Sequence, residues 1–317
     1  MSVAIIGAGI SGLACAAKLT AQGHDVTLFD KGRRPGGRLA SVSIDNMTWD
    51  LGAPGFVAHS AEFRREAEDW RRSGWLAPPD PSSPDLMVGA PTMASLVSAQ
   101  CANHNARFGA NVRRLERRAD GWIVAGDDFA QGPFSTVVLA LPAEQAAPLL
   151  SLHDLGMARP AAMVQSAPCW AVMVAFAQPA EIARALTTSG KTFAALVHKQ
   201  EAPADGAPDC WTLHASQEWS RAHLERPRED VAQLLFGALR ELVDGALPPA
   251  SFLKAHRWRF AIPYGGPGTT LWNDRLKLGV CGDWCLGSNI EAAWLSGHRL
   301  GAQLVKCLGR DLDATAA

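Results

Sequence analysis

The sequence predicts a two-domain α/β chain in which the first domain is interrupted by the second. Three observations predict it. A strand, a glycine-rich turn, a helix and a second strand follow one another over residues 3–29. Apolar strand-like segments of the same style return at 135–141 and 276–281, and the stretch between them carries two other strands and one amphipathic helix. The length of 317 residues suits two domains at roughly 150 residues each.

In chain order, residues 3–6 (VAII) form a short buried strand, GAGISG follows, a helix runs over 11–22 and stops at Gly23, and VTLF at 26–29 is the next strand. Residues 62–72 are charged and predict a surface helix, and 77–84 (APPDPSSP) is the clearest linker by composition. A helix is expected over 92–102, then a hairpin or meander turning at Ala119-Asp120-Gly121, then a buried strand ending near Leu141. Strands are expected at 169–177 and 210–215, followed by a helix from about 228 to 245 whose Val231, Leu234, Leu235, Ala238, Leu239, Leu242 and Val243 share one apolar stripe. The tail reads as a strand at 276–281, a turn GDWCLGS and a helix over 290–308. The first domain therefore comprises 1–58, 85–148 and 265–317, and the inserted domain 59–84 and 149–264.

Composition narrows the function classes. Apolar residues make up 48% and charged residues 19%, which excludes intrinsic disorder. The net charge is −1 without a long basic run, so neither nucleic acid nor an anionic membrane is an expected partner. The uncharged N-terminal run lacks a basic segment and does not read as a signal peptide, and proline and glutamine confine the run at 160–180 to half a bilayer span. Seven cysteines, mostly in apolar segments, read as buried reduced thiols of a cytoplasmic protein, a monomer or dimer. No His, Cys or acidic cluster has metal-ligand spacing.

The motifs carry the chemistry. Gly7-x-Gly9-x-x-Gly12 directly follows a strand and opens a helix: Gly7 permits the turn, Gly9 lets backbone approach a pyrophosphate, and Gly12 lets helix and strand approach closely. Ile10 and Ser11 begin that helix, whose N-terminus faces the phosphates. Asp30 ends the second strand, where a carboxylate can accept bonds from ribose hydroxyls. This Rossmann-like unit implies a dinucleotide and leaves NAD and FAD open.

The later motifs separate the two. Gly36-Gly37-Arg38, Asp50-Leu51-Gly52-Ala53 and Cys281-Gly282-Asp283-Trp284 resemble the FAD-binding pattern of glutathione-reductase-like flavoproteins, especially the amine-oxidase branch. The resemblance implies FAD as cofactor, with Gly37, Arg38, Gly52, Ala53, Gly282 and Asp283 at it, and Lys31, Val112, Ile290 and Glu291 completing the set. Arg38 can equally be a surface cation and Asp50 a turn residue. Ser288-Asn289-Ile290-Glu291 also fits an S-x-x-E capping box. In the resembling fold the same helix start points at the flavin N1 and C2 carbonyl, where it would favour the negative charge of the reduced cofactor.

A narrower resemblance spans almost the whole chain. FDKGRRPGGRLAS (29–41), DLGAP (50–54), LHASQEWSRAHLE (213–225), HRWRFAIP (256–263) and CGDWCLGSNIEAAWLSG (281–297) resemble renalase and the bacterial renalase-like proteins. This implies a Rossmann-like FAD domain with an inserted α+β substrate domain, noncovalent FAD, and oxidation of 2- or 6-dihydro isomers of NAD(P), with electrons passing to O₂ to give hydrogen peroxide. Pro54 and Gly55 depart from the glutamine and aromatic residue frequent in that family. Because a dihydropyridine gains aromaticity on losing hydride, positioning should dominate catalysis.

Candidate catalytic-pocket residues are His214, Arg257, Trp258 and Tyr264, with Trp219 and Arg259 nearby in sequence. The tryptophans read more simply as core or interface aromatics than as a stacking plate, His214 can equally be a satisfied strand histidine, and Arg257 and Arg259 can hold a substrate phosphate or equally form a solvated strand face. A flavin amine oxidase is the main alternative; Tyr264 is the single tyrosine, so a tyrosine pair beside the flavin is impossible, although one of the eleven tryptophans could substitute. A non-catalytic flavin-binding redox sensor is the other; Cys281 and Cys285 read more simply as buried thiols than as its redox pair.

Overall fold

The computed structural model describes residues 1–81, 83–180, 182, 191–199, 208–243 and 247–316, without the side chains of 310–316. The N-terminal half runs β1 (Ser2–Ile6), α1 (Ile10–Thr20), β2 (Asp25–Asp30), β3 (Ser41–Ile44), β4 (Met47–Asp50), α2 (Ala61–Arg72), α3 (Met93–Cys101), β5 (Asn105–Phe108), β6 (Arg114–Arg118), β7 (Gly121–Ala125), β8 (Ala130–Phe134) and β9 (Thr136–Leu139). The chain continues through α4 (Ala143–Ser151), α5 (Leu155–Met163), β10 (Gln165–Phe176), β11 (Phe193–His198), β12 (Asp209–Ala215), α6 (Gln217–Ala222) and α7 (Arg228–Leu242). It ends with β13 (Ala250–Tyr264), β14 (Leu271–Asn273), β15 (Leu278–Val280) and α8 (Ile290–Ala316).

The nucleotide domain is Rossmann-like. Its sheet has the order β14-β15-β9-β1-β2-β5, parallel except for β14. β1 is buried on both faces, as a central parallel strand must be. Its alternating side chains enter two cores: Val3 and Ile5 face α1, α3 and α8, while Ala4 and Ile6 face the β6–β8 meander and the α4–α5 pair.

The second sheet, β11-β12-β10-β13, is antiparallel. β10 again splits its side chains: Trp170, Val172, Val174 and Phe176 pack with α7, and Met173 and Ala175 pack with Trp49 and Leu51 of the first domain. Trp49 also donates its indole N–H to Val174 O at 3.0 Å. The β4 end is thus pinned to the inserted sheet.

Three expectations need correction. Residues 59–84, expected in the inserted domain, carry α2, whose Phe63, Ala67 and Trp70 are buried with Trp294 of α8 in the nucleotide-domain core. The stripe of α7 is narrower than expected. Val231, Leu235 and Leu239 are buried, whereas Leu234 and Leu242 are exposed; 244–246 lie outside the described residues. The fifteen-residue β13 extends well beyond the stretch around Arg257 and Arg259 that reads as a possible strand face. Among the described residues no helix is long and apolar enough to cross a membrane, and no His/Cys/Asp/Glu group could hold a metal.

Candidate functional site

Two cavities meet along the domain junction. One, of about 720 Å³, runs past the Gly7–Ser11 turn, Asp30 and Arg38 to Gly282. The other, of about 550 Å³, lies between Leu51–His59, the start of α8 and the inserted sheet. They share Arg38, Trp258, Asp283 and Ala293.

The first cavity is built by the βαβ unit. An added Cβ on Gly7 would come 2.3 Å from Ala140 O, and one on Gly12 2.0 Å from Gly7 O, so close backbone approach fixes both residues as glycine. Gly12 consequently lines neither cavity. A Cβ on Gly9 would meet nothing within 4 Å, and one on Gly37 only Gly9 Cα at 3.8 Å: these two leave open a cradle that side chains would fill. Helix α1 starts at Gly9 with no side-chain cap and no acidic residue in its first turn, leaving its N–H groups to an anion.

Asp30 holds this turn. Its Oδ2 accepts from Ala8 N at 2.7 Å and its Oδ1 from Gly32 N at 2.6 Å, and both oxygens keep lone pairs for further donors. Lys31 donates to Gln145 Oε1 at 3.2 Å, and with Ile10, Ser11 and Val112 lines the same cavity. Arg38 Nη2 meets Asp283 Oδ1 at 2.6 Å, and its Nη1 donates to Ala261 O of β13 at 2.9 Å. It is therefore no free surface cation. Asp50 is no free turn residue either: buried, it accepts from Ser41 Oγ at 2.5 Å and from Met93 N at 2.9 Å.

The second cavity is built from tertiary contacts. His214 Nε2 and Trp258 Nε1 both reach the Leu51 carbonyl, at 3.1 and 2.8 Å. A carbonyl only accepts, so both nitrogens carry hydrogens. Burial lowers the His214 pKa below its ordinary value, against the opposing pull of the Leu51 bond and the Asp50 charge, so the ring is neutral. Gly52, Ala53, Ile290 and Glu291 line this cavity rather than the first. Cys169 also lines it, and desolvation pushes its thiol up to about 12.

Glu291 does not form the expected capping box. Asn289 caps α8, its Oδ1 accepting from Ala292 N at 2.7 Å. The Glu291 carboxylate instead accepts from Ser60 N at 2.7 Å and His59 N at 2.9 Å. Desolvation raises its pKa, but the bonds from Ser60 and His59 together outweigh that and hold it below the usual value.

Three candidates fall elsewhere. Tyr264 lines neither cavity; half-exposed, it donates to Gln217 Oε1 at 2.9 Å. Trp219 stacks on His223 at 3.9 Å, a local pair in α6 and its cap. Arg257 lines the first cavity, where it donates to Leu224 O at 2.6 Å and pairs with Glu225, which also holds Arg259. Sequence reasoning missed the Leu51 carbonyl and Cys169. A backbone carbonyl gives no sequence signal, and one half-buried cysteine gives little.

Residues 80–305 match the family model for flavin containing amine oxidoreductases, and 5–69 match that for an NAD(P)-binding Rossmann-like domain. The chain belongs to the flavin-containing amine oxidoreductase family. It is similar to 4,4'-diapophytoene desaturase of Staphylococcus aureus, with 48% identity over 52 residues, 16% of this chain and only a tenth of the desaturase. Its fold is shared by cyclohexylamine oxidase from Brevibacterium oxydans, with TM-score 0.66 and 14% identity over 97% of this chain and 99% of that one. An oxidoreductase from Methanosarcina mazei gives TM-score 0.61 and 15% identity over 95% and 99%.

Flavin is thus the cofactor of the family, and the first cavity fits FAD. The Gly9–Gly37 cradle and the uncapped α1 start suit its phosphates, and Asp30 suits its ribose. Cys281 and Cys285 are free thiols; desolvation pushes Cys281 up to about 12 and Cys285 well above its ordinary value.

Proposed function

We propose that this flavoprotein is a renalase-like oxidase that takes hydride from 2- or 6-dihydro isomers of NAD(P). One dihydro substrate, one O₂ and one proton give NAD(P)⁺ and hydrogen peroxide. Bound FAD would supply the two-electron acceptor. The chain supplies the shape and polarity of the second cavity.

The observation that carries this reading is the state of that cavity's carboxylates. Asp283 is bonded by Arg38, and Glu291 accepts two backbone N–H groups. His214, whose Nε2–H is given to Leu51, is neutral. Both carboxylates of the wall are thus engaged, and a dihydropyridine, which loses hydride with no proton removed first, asks neither of them to act as a base. The start of α8 leaves the amides of Ile290 and Glu291 without intrahelical acceptors beside the cavity. They would favour negative charge on a group bound there.

A second reading, a flavin amine oxidase, is favoured by the family model itself. Against it, the single tyrosine lies outside both cavities, and the aromatic wall of the second is Phe56 and Trp258. Mixing the holoprotein without oxygen with borohydride-reduction isomers of NAD, and separately with simple amines, tests both readings. Bleaching by the isomers supports the first; bleaching by amines alone supports the second. The seven cysteines, all free, accord with a reducing cytoplasm.

A further inference from the structure

The Leu51 carbonyl fixes more than the orientation of two rings. Because His214 Nε2 must donate to it and the buried ring is neutral, Nδ1 is the unprotonated, accepting nitrogen. No protein donor reaches Nδ1 among the described residues, yet it is not among the buried side-chain atoms sealed without a partner. His214 is 6% exposed and lines the second cavity, so the small surface it keeps opens there. On the same wall Trp258 has given its only N–H to Leu51 and presents apolar surface, and the Cys169 thiol turns to the carbonyls of Trp170 and Ala215 at 3.5 and 3.6 Å. Among the described side chains that the inserted sheet gives to this cavity, His214 Nδ1 is the one open nitrogen or oxygen acceptor, and the rest present apolar surface or a turned-away thiol.

We infer that His214 Nδ1 accepts a hydrogen bond from an N–H of the bound substrate, and that this bond selects a carboxamide over isosteres without an N–H. The assignment of that N–H to the carboxamide of a dihydronicotinamide rests on the proposed function; acceptance of an N–H by His214 rests on the cavity alone. The carboxamide N–H₂ is the one strong donor carried by the pyridine ring, and an open side-chain acceptor on an otherwise apolar set of described side chains fixes which edge of that ring turns toward β12. A site built to bond an N–H discriminates against the analogue lacking it because its buried acceptor is then left unpaired.

The test uses the FAD-loaded full chain, with nicotinamide and 3-acetylpyridine as non-reacting probes followed by the perturbation of the flavin spectrum. The methyl ketone keeps the carbonyl and loses only the N–H₂. The expected result is tighter binding of nicotinamide by about tenfold, a preference lost in His214→Leu and kept in His214→Gln, whose amide can donate to Leu51 and accept from the ligand. The same ratio is expected in kcat/KM for the dihydro forms of the two analogues. Equal binding of both probes, no binding of nicotinamide, or an unchanged preference in His214→Leu overturns the inference. If nicotinamide binds with a His214-dependent preference while no dihydro isomer reduces the flavin, the inference stands and the proposed reaction falls. Retained flavin and an unchanged melting temperature in His214→Gln guard against a folding artefact.

Discussion

Arg38 and Asp283 meet at 2.6 Å on the boundary of the two cavities, and the other arm of the same guanidinium donates to Ala261 O. One side chain thereby joins the turn after β2, the turn after β15 and the inserted sheet. Asp283 is 4% exposed, so removing Arg38 leaves a buried carboxylate without its partner. Arg38→Ala is expected to lower FAD affinity at least about tenfold and to cost about 2 kcal/mol of stability. Arg38→Lys keeps the charge but not both directed bonds, and should recover only part of either loss. Flavin content after gel filtration and denaturant unfolding check this.

The glycines of the first turn separate folding from cofactor binding. Gly12→Ala drives a Cβ into Gly7 O and is expected to destabilise the domain by about 3 kcal/mol or more. Gly9→Ala places its methyl in open space on extended backbone and should cost no more than about 1 kcal/mol. It should nonetheless weaken FAD strongly. Equal melting temperatures for the two variants would contradict a Gly12 position closed by Gly7 O.

Glu291 links α8 to the start of α2. In Glu291→Gln only one oxygen remains for the two N–H groups of His59 and Ser60, and a loss of about 1–2 kcal/mol is expected. Its folded-state pKa lies below the ordinary 4.5, so its contribution is complete above that pH and is lost as pH falls through the lowered value. Urea midpoints measured between pH 7 and pH 3 should therefore show a smaller acid-side decline in the variant than in the parent chain.

The thiols of Cys169 and Cys281, both pushed up to about 12, and that of Cys285 should resist an aromatic disulfide reagent at pH 8 until the protein unfolds. Rapid labelling of Cys281 or Cys285 in the native protein would revive the redox-sensor reading.

What was legible in the sequence is what is local. Gly7, Gly9, Gly12 and Asp30 lie within one βαβ unit, where strand end, turn and helix start dictate each other. The site beyond it depends on distant chain: His214 and Trp258 reach Leu51 from 163 and 207 positions away. The full length of strand β13 hid because it lies at a sheet edge and mixes Lys254, His256, Arg257 and Arg259 among half-buried apolar residues, without clean alternation. The Ser288–Glu291 pattern misled for the same reason. Its spacing fits a capping box, but Asn289 caps the helix and Glu291 serves α2, a partner that no local pattern reveals. The charged face of α2 likewise concealed Phe63 and Trp70, which are buried against the nucleotide domain.

The most direct measurement is anaerobic mixing of the yellow holoprotein with purified 2- and 6-dihydro isomers of NAD, followed by admission of air. The expected result is loss of the visible flavin band within seconds for at least one isomer, then return of the band with hydrogen peroxide equimolar to the substrate consumed. A flavin that stays oxidised with every isomer, while a simple amine bleaches it, would rule out a dihydronicotinamide oxidase.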